Sequence, residues 1–247
     1  AASTIEAGSG AVAETKPASV YGTTTVIDSE ETETARANWV KEGDDWYYLL
    51  PDSSRNRQDL QFDNALYKFN WNGSLKTAQW VPNTGGGAYP VFCYDEETQF
   101  LFDQLNDEKR DLYFDEYPDR EEEYGNDEKR QYDRYAGFIM DEKLNQAAAH
   151  RLEAALANGY SGDAIPGEGT LKDYLGKISY RKNSSCRELY LRGREDVDDA
   201  FDKLIGKTQD KYDSNGKRKD SLDYYRRVGM AHAEKDGEQY FMVILMR

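Results

Sequence analysis

The chain is 247 residues long, enough for one large domain or two small ones with a substantial core. Its 47 acidic and 32 basic residues leave a formal net charge of −15, which argues against a nucleic-acid ligand, since phosphate binding needs a basic stripe that releases counterions. The short block Lys217-Arg218-Lys219 follows Asn215-Gly216 and reads as a turn, and 13% aromatic content argues against global disorder.

In chain order, residues 1–37 are rich in Ala, Ser, Thr, Gly and Glu and lack hydrophobic periodicity, so a flexible lead is expected. It is small, polar and mildly acidic, like the stretch that follows a cleaved export signal. Asn38–Leu50 then reads as two aromatic strands around Gly43-Asp44-Asp45, and Asn64–Val81 repeats the idea around Asn72-Gly73, a strong hairpin signal. A glycine-rich loop, 81–90, follows. Phe100, Leu101, Leu105 and Leu112 recur at helical spacing, and an acidic, Tyr-rich insertion covers about 113–135. The clearest helix spans Asp141–Gly159, with Leu144, Ala148, Leu152, Ala155 and Leu156 on one face and Asn158-Gly159 as its stop. A shorter helix over Thr170–Leu175 precedes a strand at Arg187–Gly193, and Glu195–Gly206 is helical, with Val197, Ala200, Phe201 and Leu204 inward. Two last strands meet at Lys235-Asp236-Gly237. Val228, Met230 and His232 alternate as in a half-buried strand, and Phe241–Leu245 is continuous as in a central one. No apolar run reaches the roughly 20 residues of a membrane helix. Helices and antiparallel strands in this order predict an α+β fold, a layered α-β-α sandwich with a small N-terminal β-hairpin segment.

Two resemblances sharpen this reading. "WVKEGDDWYYL" and "YKFNWNGSLKTAQW" resemble the cell-wall-binding repeats of Gram-positive surface proteins, the choline- and glucan-binding type, with Ala78-Gln79 in place of the common Gly before Trp80. The resemblance implies that Trp39, Trp46, Tyr48, Tyr67 and Trp80 cage a quaternary ammonium or stack on a wall glycan. The alternative is that these aromatics pack the segment onto the next domain. From about Tyr94 to Arg247 the chain resembles the CAP superfamily, the SCP-like domain of cysteine-rich secretory, antigen and pathogenesis-related proteins, in bacterial extracellular form. The matching motifs are "LFDQLNDEKR", "LNQAAAHRLEAALANG", "CRELYL", "AFDKLIGKTQD" and "RRVGMAHAEKDGEQYFMVIL". The expected organisation is a lead at 1–37, aromatic hairpin repeats at 38–92 and a CAP-like domain at 93–247.

In that family two histidines and two acids line a cleft that can hold a zinc-type cation. Here Glu188 falls at the family's glutamate, and the second cleft histidine falls at about Asp210. The first, expected near Gly159–Gly162, has no counterpart. His150 and His232 are expected to be hydrogen-bonded structural histidines. The resemblance therefore implies no metal and no cofactor, with Glu188 and Asp210 left as candidate catalytic carboxylates. Cys93 and Cys186 allow one disulfide or two free thiols, and Arg187 alone is poor grounds for a reactive Cys186. The function expected is an extracellular or cell-surface bacterial binding protein for a wall glycan, a choline-like group, a protein or a small apolar ligand. A hydrolase using Glu188 and a structural spacer are the alternatives.

Overall fold

A computed structural model describes residues 38–62, 65–80, 95–119, 136–209, 211–216 and 218–247. The lead, the glycine-rich loop, Cys93, most of the acidic insertion and Asp210 lie outside the described residues.

The first hairpin joins β1 (Trp39–Glu42) to β2 (Asp45–Tyr48). Gly43 takes φ 64 at the turn, a left-handed conformation that glycine adopts without steric cost. Next come β3 (Leu60–Phe62), β4 (Ala65–Phe69) and β5 (Leu75–Trp80), then α1 (Glu96–Glu116), β6 (Ile139–Asp141) and α2 (Glu142–Asn158). The C-terminal part contains α3 (Leu171–Lys177), β7 (Cys186–Arg194), α4 (Val197–Lys207) and a small ribbon of β8 (Lys211–Tyr212) and β9 (Arg218–Lys219). A 3₁₀ turn at Leu222–Tyr224 leads into the last hairpin, β10 (Arg227–Lys235) and β11 (Glu238–Met246).

Seven strands form one sheet in the order β3-β4-β5-β6-β10-β11-β7. All neighbours are antiparallel except β6 and β10, which run parallel. The sheet therefore runs across position 92: Thr77, Ala78 and Gln79 of β5 pair with Asp141, Met140 and Ile139 of β6.

Period-two alternation sends successive side chains of the central strands into two cores. Phe241, Val243, Leu245, Val228 and Met230 pack with Leu101, Phe102 and Leu105 of α1 and with Ala200 and Leu204 of α4. Met242, Ile244, Met246, Ala231 and Ala233 pack with the Leu/Ala face of α2 and with Leu171 and Leu175 of α3. Helices on both faces of a mixed sheet make the fold α+β, an α-β-α sandwich. The alanines of α2 let it lie close to β10. At Gly229 an added Cβ would stand 2.2 Å from the Leu144 carbonyl carbon, and there Asn145 Oδ1 accepts the Met230 backbone N–H at 2.9 Å.

Two local expectations change. β10 is buried from Val228 to Ala233, because helices cover both of its faces. In α1 the inward aromatic is Phe102, while Phe100 is 51% exposed; the buried stripe runs through Thr98, Leu101, Phe102 and Leu105.

Candidate functional site

Strand alternation aims Glu188 of β7 toward α2, where Arg151 meets it. Arg151 Nη2 donates to Glu188 Oε1 at 3.0 Å and Nε donates to Oε2, a bidentate fork. The two side chains are 0% and 3% exposed. Arg151 also donates to the carbonyls of Gly169 (3.2 Å), Thr170 (3.4 Å) and Asp163 (3.5 Å), so the α2–α3 loop closes around the guanidinium. Tyr160 lies against the pair, and burial, then the Glu188 charge, pushes its hydroxyl well above the usual phenol range. A general base has to reach the proton it removes; both oxygens of Glu188 are occupied by a permanent cation. Asp210, its expected counterpart, lies outside the described residues.

The aromatic residues are placed differently from an open cage. Trp39, Trp46 and Tyr67 are core side chains. Trp39 is enclosed by Tyr48 (edge-on, 5.3 Å between centroids), Tyr67 (edge-on, 5.1 Å) and Phe69 (stacked, 5.8 Å). Trp80 is half-buried beneath the Arg110 guanidinium, 4.9 Å from the ring centroid. The expectation of ligand-stacking faces at Trp39, Trp46 and Tyr67 is corrected accordingly. β4 and β5 join the main sheet instead of stacking on further repeats, so their aromatics fill its outer core. The exposed indole belongs to Trp71, 85% accessible at the tip of the β4–β5 turn. Asn72 Oδ1 accepts from Ser74 N (3.0 Å) and Oγ (2.7 Å) to shape that turn. The Asn72-Gly73 hairpin signal is sufficient to set Trp71 at a turn, whereas the resemblance to wall-binding repeats points to its neighbours.

Cys186 is a free thiol whose pKa is raised by burial, and Cys93 lies outside the described residues. His150 is exposed, stacked 4.7 Å from the Tyr174 ring, with Nε2 3.0 Å from Glu168 Oε2. His232 sits on the α1 side of β10. Its Nδ1 is 2.6 Å from Asp95 Oδ2 and 4.0 Å from Glu97 Oε2, and its Nε2 is 2.5 Å from Gln239 Oε1. Both histidines are thus hydrogen-bonded. Burial lowers the His232 pKa, but the Asp95 hydrogen bond and charge, with Gln239 and Glu97, outweigh it and leave the net shift upward. Asp95 also caps α1: its Oδ1 accepts Thr98 N at 2.7 Å and Thr98 Oγ1 at 2.8 Å.

A cavity of about 350 Å³ opens between α1, α4 and the 3₁₀ turn, lined by Glu108, Leu112, Ile205, Thr208, Gln209 and Leu222. Neither Glu188 nor His232 borders it.

No family model matches the chain, and no curated protein does. Among solved structures, a 1.5 Å crystal structure of an extracellular protein containing an SCP domain, from Bacillus anthracis, aligns with 91% of this chain and 74% of its own, at 11% identity and a TM-score of 0.38. No helix among the described residues is long and apolar enough to cross a membrane.

Deeper in α1, burial, with the Asp107 charge adding and Arg110 opposing, pushes the Asp103 carboxyl up to about 8. Sequence reading missed it because its placement depends on how α1 is rotated against the sheet. Arg151 was likewise hidden among the alanines of α2.

Proposed function

We propose that this chain is an extracellular binding protein on a CAP-like sandwich and that Glu188 performs no hydrolysis. The observation that carries this reading is the bidentate Arg151–Glu188 pair, sealed from solvent on both sides. The carboxylate that the sequence nominates as general base serves to hold the α2–α3 loop onto β7. Binding is the work left to the surface, and the partner class is a wall glycan, met by the projecting indole of Trp71, whose flat apolar face suits a sugar ring. The buried Trp39, Trp46 and Tyr67 favour a second role for their segment, packing the outer half of the sheet.

Co-sedimentation of the purified full chain with Gram-positive cell walls tests this. The wild type is expected to pellet with the walls, Trp71→Ala to pellet less, and neither the wild type nor Glu188→Gln to release reducing sugar or new amino groups. Wall turnover by the wild type that stops in Glu188→Gln would establish the hydrolase instead. Equal pelleting of wild type and Trp71→Ala would remove Trp71 from the contact.

A further inference from the structure

From the geometry around His232 we infer a binding site for a borderline divalent cation such as Zn²⁺, held by His232 Nδ1, Asp95 Oδ2 and Glu97 Oε2. Among the described residues these three form a group whose ligand atoms all lie within 4.8 Å of one another. They come from two separate elements: His232 from the middle of β10, Asp95 and Glu97 from the start of α1. The site lies on the α1 face of the sheet. Glu188 faces α2 on the other side, so the two carboxylate centres are separated by the sheet itself.

Three features distinguish this group from an ordinary ion pair. The first is the direction of the hydrogen bonds to the ring. Gln239 Oε1 is an amide oxygen and can only accept, so His232 Nε2 is the donor, and Nδ1 is the nitrogen aimed at the carboxylates. A metal-bound imidazole characteristically donates its other N–H to a carbonyl or carboxylate, which fixes its ring and tautomer. Gln239 occupies that supporting position, in the strand that pairs with β10.

The second is spacing. Tetrahedral zinc with N and O ligands at about 2.0–2.1 Å places neighbouring ligand atoms about 3.3 Å apart. The two distances from Nδ1, 2.6 Å to Asp95 and 4.0 Å to Glu97, straddle that value. A cation entering between them opens the first and draws in the second, each by a side-chain adjustment of well under 1 Å. The proton shared by Nδ1 and Asp95 occupies the place that the cation takes.

The third is the gradient of burial. The side chains of His232 and Asp95 are 8% and 13% exposed, whereas Glu97 is 40% exposed. The inner pair is held by the sheet and by the α1 cap, and the outer carboxylate reaches solvent. A cation enters past Glu97, and water completes its coordination from that side. One imidazole and two carboxylates favour zinc and its first-row neighbours over calcium, which prefers six or more oxygens.

The test uses the full chain after chelator treatment, titrated calorimetrically with ZnCl₂ at physiological ionic strength, alongside Glu97→Gln and Asp95→Asn. Glu97 makes no cap. Asparagine at position 95 keeps the cap oxygen while removing the charge, so both variants are expected to fold. The wild type should bind one Zn²⁺ saturably, and each variant should bind at least about tenfold more weakly, since even outer-shell partners are worth that much. Imidazole ¹⁵N spectra should show zinc shifting one nitrogen of His232 while His150 stays in place. Binding that is absent up to millimolar zinc, or equal in all three proteins, or reported by His150 instead of His232, overturns the inference. The wall assay is read without added zinc, so failure of one proposal leaves the other standing.

Discussion

Replacing Arg151 with methionine probes the buried pair directly. Methionine keeps most of the apolar stem of the side chain and removes the cation, leaving Glu188 as a carboxylate in a site that is 3% exposed. Breaking a buried ion pair from one side costs about 3–5 kcal/mol, a large share of the roughly 5–15 kcal/mol that stabilises an ordinary domain. The carbonyls of Asp163, Gly169 and Thr170 also lose a donor, but these contacts are long, 3.2–3.5 Å, and their loop borders solvent, so water replaces them at little cost. The double variant Arg151→Met/Glu188→Met removes both charges. It should return to within about 2 kcal/mol of the wild type, because an apolar replacement of similar volume needs no desolvation of ions. Urea denaturation followed by tryptophan fluorescence measures both, with the midpoint expected to fall in the single variant and recover in the double at an unchanged slope. A single variant within about 1 kcal/mol of the wild type, or a double as unstable as the single, would show that the pair is neither buried nor coupled as described.

Asp103→Asn should stabilise the protein increasingly with pH. The carboxyl moves from 3.8 to about 8 on folding, so the folded state holds the extra proton between those values. Wild-type stability therefore declines as pH rises through that window, by at most about 6 kcal/mol, and levels off above pH 8. Thermal melts at pH 5 and pH 9 should show the variant's advantage growing; a constant difference would contradict the assignment. Gly229→Ala should lose at least about 2 kcal/mol, measured by denaturation, because its new methyl meets backbone of α2 rather than a movable side chain. Trp46→Ala should cost about 3–5 kcal/mol, whereas Trp71→Ala should leave the melting midpoint unchanged; a stable Trp46→Ala protein would return that ring to the candidate ligand faces.

Elements with local signals were legible in the sequence. Gly43, Asn72-Gly73, Asn158-Gly159 and Lys235-Asp236-Gly237 each mark a turn or a stop, and the helices and hairpins beside them lie where expected. β6 carries no such signal: its three residues are a strand because β5 and β10 pair on either side. In α1 the apolar residues Phe100, Leu101, Phe102 and Leu105 permit more than one inward face, and contact with α4 and the sheet decides between Phe100 and Phe102. Site chemistry was harder to read, since it depends on distant partners. Glu188 was found by motif, but the arginine that neutralises it is 37 positions earlier, and His232 meets Asp95 across 137 positions. No periodicity reports such pairings. The aromatic residues show the same limit: composition predicted strands correctly, while exposure was decided by what the strands joined.

The joint between the two halves of the sheet has a consequence for modularity. β6 contacts β10 through two register pairs and β5 through three, so a three-residue strand is the splice between the aromatic hairpins and the C-terminal strands. A splice this short gives neither side an independent edge. Excising residues 38–80 would strip one side of β6 and leave Met140 and Phe138 without the aromatic neighbours that share their core, and the excised piece would be a small sheet with an open flank. The aromatic hairpins are therefore not a detachable cassette. Fluorescence from the buried tryptophans and far-ultraviolet dichroism from the helices should lose their native signals together on denaturation, and two separated transitions would show that the splice is weaker than its place in the sheet implies.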